Sequence, residues 1–138
     1  MWLKQLSVLN FKNYSESSLE FLPEVNAFTG NNGVGKTNLL DAIHYLSLCK
    51  SYFNPIDSQH IKSGNDWFMV QGEFDKESIS DFITCSRKKN QKKQCKKNKK
   101  DYPRLADHIG LFPLVMICAN DSIIVTDGSE ERRKLVDN

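Results

Sequence analysis

Residues 30–37 read Gly-Asn-Asn-Gly-Val-Gly-Lys-Thr and fit G-x-x-x-x-G-K-[ST], the pattern of a phosphate-binding P-loop. Its glycines let the backbone curl so that several N–H groups point at one anion. Lys36 adds positive charge for the β and γ phosphates, and the Thr37 hydroxyl suits Mg²⁺. A glycine-rich turn without a ligand is the alternative. The flanking sequence argues against it, because residues 25–29 predict a strand and residues 38–48 a helix.

The residues expected around a bound triphosphate form one continuous stretch. They are Gly30, Asn31, Asn32, Gly33, Val34, Gly35, Lys36, Thr37 and Asn38. Asn32 has two interpretations of similar weight: it approaches the γ-phosphate or a partner subunit, or it is a turn residue that tolerates unusual dihedrals. The following helix directs its N-terminus at the phosphates. Its apolar residues recur every three or four positions, which predicts a core-facing stripe of Leu39, Leu40, Ile43, Tyr45 and Leu46.

The composition is that of one globular domain. The chain has 138 residues, of which 39% are hydrophobic and 10% aromatic. No apolar run is long enough to span a membrane, and the first residues lack the features of a signal peptide. The four cysteines form no C-x-x-C pair, which argues against a zinc ribbon or redox motif and favours reduced thiols in the cytoplasm. Cys49 and Cys118 lie in apolar runs and are expected in the core.

Charge is concentrated in one segment, residues 87–100. It holds nine of the 19 basic residues and no acidic residue, so the rest of the chain has ten basic and 17 acidic side chains, a net charge of −7. This asymmetry favours binding to duplex DNA phosphates, and the absence of aromatic residues argues against base stacking. A solvated, mobile hairpin is the alternative. The DNA-binding candidates are Arg87, Lys88, Lys89, Lys92, Lys93, Lys96, Lys97, Lys99 and Lys100.

Patterns of alternation and turn residues predict an α/β domain in which two strands precede the P-loop strand. The basic segment is expected to be the distal half of a β-hairpin that turns near Asn90-Gln91. The predicted strands are residues 2–9, 18–22, 25–29, 67–74, 79–86 and a buried strand at 113–118. Short helical pieces are predicted within 51–66, at 105–111 and from 129 onward, and residues 120–122 are suited to cap a turn.

Several motifs besides the P-loop occur in a fixed order. They are Leu3-x-x-Leu6-x-x-x-Asn10-Phe11-Lys12-Asn13-Tyr14, the P-loop with its helix at 30–43, Asn98-Lys99-Lys100, the apolar run 114–117, Asp121, and Gly128-x-x-x-Arg132-Arg133-x-x-x-Asp137. This ordered set resembles the ABC-type ATPase heads of DNA-repair and chromosome-structure proteins, and among them the bacterial RecF family. The family's usual proline before the acidic residue near 121 is replaced here by Ala119 or Asn120.

The resemblance implies a P-loop NTPase fold of the ABC type, with mixed or antiparallel strands before and after the P-loop helix. Residues 1–138 would form its first lobe, with the basic hairpin 87–100 inside it. It also implies that Lys12 and Asn13 lie beside ribose and adenine, although a solvated turn is the alternative. Asp121 is implied near Mg²⁺. Arg132 and Arg133 either meet phosphate or a partner subunit, or form surface ion pairs with Glu130 or Asp137.

The implied function is that of a recombination mediator. Such proteins bind ATP and Mg²⁺, dimerise head to head, bind duplex DNA at gaps and cooperate with mediators of the RecR and RecO type in gap repair and the SOS response. The sequence contains neither an ABC signature motif nor an apolar strand ending in Asp-Glu, so we expect an N-terminal piece without its own catalytic residues. Two alternatives remain: a small-molecule or nucleoside kinase, and a DNA-binding module with an idle P-loop.

Overall fold

The computed structural model describes residues 1–122, in which one antiparallel sheet of six strands packs against one α-helix. The order across the sheet is β2-β1-β3-β4-β5-β6. The strands are β1 Trp2–Phe11, β2 Tyr14–Glu20, β3 Trp67–Lys76, β4 Ile79–Lys88, β5 Gln94–Lys97 and β6 Lys100–Asp101. The helix α1 spans Lys36–Leu48, and 3₁₀ turns lie at Asp57–His60, Leu105–His108 and Ala119–Ser122.

The central strand β3 shows why these residues form a sheet with one buried face. Phe68, Val70, Gly72 and Phe74 alternate as buried positions, as expected for a strand with a single face on the core. Gly72 lies opposite Leu6 on β1 and opposite Ile83 on β4. A Cβ atom at this position would lie 2.6 Å from Leu46 Cδ1, so the glycine lets α1 approach the sheet.

The core lies between the sheet and α1. Tyr45 of the helix packs edge-on against Phe11 of β1, with ring centroids 6.1 Å apart, and against Phe68 of β3 at 5.5 Å. All three rings are almost fully buried. Aromatic packing of this kind adds to the burial of apolar area, so it fixes the C-terminal half of α1 against the end of β1 and against β3.

Most predicted elements are present, with shifted bounds. The basic segment forms the predicted hairpin, with β4 and β5 joined by a turn around residues 89–91. A second, two-residue turn at Asn98-Lys99 leads into β6, and both residues have the positive φ values of such turns. The second strand begins at Tyr14 rather than at residue 18 and pairs with β1 throughout. No described helix is long and apolar enough to cross a membrane.

Two of the predicted strands are absent from the described part of the chain, so those two predictions are wrong. Residues 25–29 and 113–118 adopt no strand, and Val25, Val115 and Ile117 are 84%, 88% and 82% exposed. A strand needs a neighbour that satisfies its N–H and C=O groups, and residues 1–122 place no such neighbour beside either segment.

The predicted burial of individual residues is confirmed in part. Leu40, expected in the core stripe of α1, is 42% exposed, whereas Leu39, Tyr45 and Leu46 are buried. Cys49 is buried as expected, but Cys118 is only half-buried. The helix expected from residue 129 and the candidates Arg132 and Arg133 lie outside the described residues.

Candidate nucleotide-binding site

The P-loop connects directly to the first turn of α1, and its backbone depends on glycine. Gly30, Gly33 and Gly35 have φ angles of 143°, 86° and 110°. Gly35, the N-cap of α1, also has no room for a side chain, because a Cβ atom there would lie 2.5 Å from Asn13 Nδ2 and 2.9 Å from Tyr14 Cε2. Both the dihedral and the neighbouring atoms therefore require glycine at position 35.

An open cavity of about 250 Å³ lies at this end of the helix. It is lined by Asn32, Gly33, Gly35, Lys36, Thr37 and Asn38. The first backbone N–H groups of α1 have no partner within the helix and its dipole is positive here, so the cavity suits an anion. A larger groove of about 320 Å³ shares no residue with it and is lined mostly by apolar side chains such as Leu22 and Phe28, so it does not suit a phosphate.

The side chain of Lys36 is held across the loop. Its ammonium donates to the carbonyls of Gly30 and Asn31, at 2.7 and 2.8 Å. A lysine ammonium has three donors, so one remains for another acceptor. The loop therefore presents a positive charge at a defined position next to the cavity.

Asn13, in the turn between β1 and β2, is hydrogen-bonded to both the P-loop and the first turn of α1. Its Nδ2 donates to the carbonyl of Val34 at 3.0 Å, and its Oδ1 accepts from Asn38 Nδ2 at 2.7 Å. Both ends of the side-chain amide are thus used in fixing the P-loop to the sheet. The contact with ribose and adenine stays a prediction, and the support of the loop is a role that the sequence pattern did not reveal.

Asp41 is a fully buried carboxylate one turn into α1, and the sequence analysis missed it. It accepts hydrogen bonds from Ser51 Oγ at 2.6 Å and from the Tyr52 N–H at 2.7 Å, and Lys12 Nζ lies 2.5 Å away. Burial opposes its ionisation, but the bonds from Lys12, Ser51 and Tyr52 outweigh it and hold the pKa of the carboxyl below its usual value. The only signal in the sequence was an acidic residue among the apolar positions of the helix.

Lys12 is therefore committed to a structural ion pair. Its side chain is 16% exposed, and its ammonium also lies 5.7 Å from the ring centroids of Phe11 and Phe53. These contacts tie the turn after β1 to α1 and to the segment that follows it. The predicted position of Lys12 beside ribose and adenine remains untested.

The family comparison agrees with this geometry. The AAA ATPase domain family matches residues 1–111, which is most of the chain.

The chain belongs to the AAA ATPase domain family.

The chain is also similar to individual proteins named RecF. The DNA replication and repair protein RecF of Parabacteroides distasonis is 53% identical over 99% of this chain, and the chain spans 38% of the length of that relative. A solved structure of the recombination mediator protein RecF-ATP in the RecFOR pathway superposes with a TM-score of 0.86 at 32% identity, over 99% of this chain and 38% of that one.

A third comparison concerns the fold alone. A chain from a study of ATP-driven dimerization and DNA-stimulated activation of SMC ATPases matches with a TM-score of 0.80 at 20% identity, over 99% of this chain and 98% of that one. The predicted resemblance to RecF and the predicted fold class are thereby confirmed. These relatives favour the RecF interpretation over the two alternatives, which are a small-molecule or nucleoside kinase and a DNA-binding module with an idle P-loop.

Asp121, the weaker Mg²⁺ candidate of this AAA ATPase domain, is joined to the segment after α1. Its Oδ1 accepts from the Tyr52 hydroxyl at 2.9 Å, and its Oδ2 from the Cys118 N–H at 2.6 Å. The hydrogen bond from the Cys118 backbone has the largest effect, and together these bonds hold the pKa of Asp121 below its usual value. Tyr52 thus bonds to Asp41 through its N–H and to Asp121 through its hydroxyl. The Mg²⁺ role of Asp121 stays a prediction.

The structure divides the nine basic candidates of the hairpin into two groups. Five form ion pairs: Arg87 and Lys93 with Asp57, Lys89 with Asp66, Lys96 with Asp101, and Lys97 with Asp81. The other four are exposed and have no ion pair among residues 1–122: Lys88, Lys92, Lys99 and Lys100.

Asn98 fixes the end of the hairpin that carries two of these lysines. Its Oδ1 accepts from the Phe82 N–H at 2.8 Å, and its Nδ2 donates to Asp81 at 2.9 Å. Lys99 lies in this turn and Lys100 is the first residue of β6, so the fixed turn holds both charges at the end of the hairpin. Sequence reasoning found all nine basic residues but could not separate the paired from the unpaired ones.

Proposed function

We propose that this chain carries the ATP site of a RecF-like ATPase head. The observation that carries the proposal is the cavity at the N-terminus of α1, where a glycine-dependent loop, the Lys36 ammonium and free helix N–H groups meet. A relative of the same fold is described as RecF-ATP. Thr37 lines the same cavity, and its hydroxyl would serve as a ligand for Mg²⁺.

The activity of the whole protein is also a proposal, since the chain spans 38% of the length of its Parabacteroides relative. We infer that such a protein acts in the cytoplasm, binds duplex DNA at gaps, dimerises with a second copy across ATP, and works with RecR- and RecO-type mediators in recombinase loading and the SOS response. Contacts to the γ-phosphate made only in the closed dimer would shift the population toward it, and hydrolysis would reverse that shift. We assign no catalytic residue to this chain and expect it alone not to hydrolyse ATP.

Calorimetric titration of Mg·ATP into the chain tests the site. Lys36→Ala removes the charge beside the cavity, and Lys76→Ala, an exposed lysine at the end of β3, removes an equal charge elsewhere. Hydrogen bonds to charged groups contribute about 1.5–3 kcal/mol, so we expect Lys36→Ala to weaken binding by at least about tenfold. Lys76→Ala should bind like the unmodified chain. Equal affinities in all three proteins would refute the proposed site.

A second pair of variants tests the role assigned to Thr37. Thr37→Ser keeps the hydroxyl and Thr37→Ala removes it. We expect the serine variant to retain Mg²⁺-dependent ATP binding, and the alanine variant to bind ATP with the same affinity with and without Mg²⁺. If Mg²⁺ strengthens binding equally in both variants, the ion is held elsewhere.

A further inference from the structure

Three of the four cysteines converge inside the core. Cys49, Cys85 and Cys95 are 2%, 1% and 6% exposed, and their sulfur atoms all lie within 4.8 Å of one another. The Sγ atoms of Cys49 and Cys85 are 4.0 Å apart, and those of Cys85 and Cys95 are 2.7 Å apart. Cys118 is half-buried and contacts Tyr52 instead.

Three separate elements bring these thiols together. Cys85 on β4 and Cys95 on β5 are directly opposite in the antiparallel register, so their side chains share the buried face of the sheet. Cys49 is the C-cap of α1 and has a left-handed φ of 51°. Glycine or asparagine is the usual residue at such a helix end. A cysteine in this position directs its thiol from the end of the helix toward the two on the sheet.

We propose that Cys49, Cys85 and Cys95 form a binding site for one soft, thiophilic metal ion of the Cu(I) type. The donor set consists of sulfur alone, and thiolate ligands select soft ions. Metal–sulfur bonds of about 2.3 Å around one ion place the sulfur atoms roughly 4 Å apart. The separation between Cys49 and Cys85 already has this value, whereas Cys85 and Cys95 would open by about 1 Å to admit an ion of that bond length.

The surroundings favour three ligands over four. His108, also fully buried, lies next to Cys49, but its Nε2 bonds to the Leu46 carbonyl at 2.6 Å and its Nδ1 to the Tyr102 hydroxyl at 3.0 Å. Its ring nitrogens are therefore occupied. Structural zinc sites almost always have four ligands, so a buried site with three thiols suits Cu(I) better than Zn(II).

Binding exchanges protons for the metal ion and moves no electron. Each thiol that bonds to the ion releases its proton to solvent, which leaves the loaded cluster negatively charged. The Lys93 ammonium lies nearby, because it donates to the Cys49 carbonyl at 2.7 Å. The ion would tie the end of α1 to both strands at the base of the basic hairpin, so it would stabilise the folded chain.

Titration of the reduced chain with Cu(I) under anaerobic conditions, against a coloured Cu(I) chelator, tests this site. The variants are Cys95→Ser, which removes one ligand, and Cys118→Ser, which removes the cysteine outside the cluster. We expect one tightly bound Cu(I) per chain in the unmodified protein and in Cys118→Ser, and an affinity lower by more than about tenfold in Cys95→Ser. Equal affinities in the three proteins, or tight four-coordinate Zn(II) binding in preference to Cu(I), would overturn the proposal.

Thiol alkylation followed by mass spectrometry keeps the proposal testable if Cys95→Ser does not fold. In the unmodified chain, loading with Cu(I) should protect Cys49, Cys85 and Cys95 from alkylation under mildly denaturing conditions and leave Cys118 reactive. Protection of none of the three by Cu(I) would overturn it. A disulfide between Cys85 and Cys95 that persists in a chain purified in reductant would also overturn it.

Discussion

The side-chain amide of Asn13 donates a 3.0 Å hydrogen bond to the carbonyl of Val34, which joins the turn after β1 to the interior of the P-loop. The same amide accepts from Asn38 on the first turn of α1. The loop is thus held between the sheet and the helix by one residue that lies 21 positions before Val34. This contact shows how the turn between two strands of the antiparallel sheet positions the P-loop.

Replacing Asn13 by alanine should weaken ATP binding because the loop loses both hydrogen bonds. A hydrogen bond contributes about 1 kcal/mol, so we expect the dissociation constant to rise by about five- to thirtyfold, with little change in the folded structure. Calorimetry measures this directly. Asn65→Ala, in the loop before β3, is the matched control and should bind normally. Unchanged affinity in Asn13→Ala would show that the loop holds its shape without this support.

Gly35→Ala should destabilise the chain more than Gly64→Ala. Both glycines have left-handed φ angles, 110° and 85°, so both substitutions incur backbone strain of about 1–2 kcal/mol. Only at position 35 does the new Cβ atom also meet Asn13 and Tyr14, whereas nothing lies within 4 Å at position 64. Urea denaturation of the two variants isolates the steric contribution. Equal losses of stability would mean that Asn13 and Tyr14 move aside at no cost.

Asp41 should make stability depend on pH on the acid side. The pKa of this carboxyl in the folded chain lies below its ordinary value of 3.8, so its contribution is fully present above that value and is lost as the pH falls through the lower folded-state pKa. Asp41→Asn should lack this acid-dependent loss. It should also be less stable at neutral pH by on the order of 3 kcal/mol, because Lys12 loses its buried partner.

Urea denaturation between pH 7 and pH 2 tests this prediction, because the loss is expected only below pH 3.8. Asp101→Asn is the control, since that carboxylate is 66% exposed and pairs with Lys96 at the surface. An Asp41→Asn variant as stable as the unmodified chain at pH 7 would contradict the assigned role of the ion pair.

DNA binding should depend more on the unpaired lysines of the hairpin than on the paired ones. The double variants Lys99→Ala/Lys100→Ala and Lys89→Ala/Lys96→Ala remove the same charge, but the second pair already neutralises Asp66 and Asp101. We expect the first variant to reduce the slope of log affinity against log salt concentration by about 1.8, which corresponds to two phosphate contacts. Fluorescence anisotropy with a duplex at several salt concentrations gives both slopes. Identical slopes would show that only the overall charge of the hairpin matters.

The elements that the sequence predicted correctly are those with a local cause. The glycine spacing of residues 30–37 specifies the loop, and alternating residues specify β3 and β4. The 87–100 hairpin follows from turn residues between two polar runs. In each case, neighbours in sequence determine the conformation.

The features that the sequence did not predict depend on distant neighbours. The apolar runs at 25–29 and 113–118 were predicted as strands, but composition does not show whether a pairing strand lies alongside. The buried position of Asp41 depends on its partners Lys12, Ser51 and Tyr52, which are distant in sequence or in the next segment. The thiol cluster depends on the strand register that places Cys85 opposite Cys95. Only the folded chain brings these groups together.

The most direct test of the central claim is an NMR titration of the isotopically labelled chain with Mg·ATP. We predict that the largest shifts of backbone amide signals occur at Gly33, Gly35, Lys36 and Thr37, which line the cavity at the start of α1, and that the same shifts require at least about tenfold more Mg·ATP in Lys36→Ala. Shifts that are absent from these residues, or that centre on the basic hairpin 87–100, would contradict it and show that the P-loop does not bind ATP in this chain.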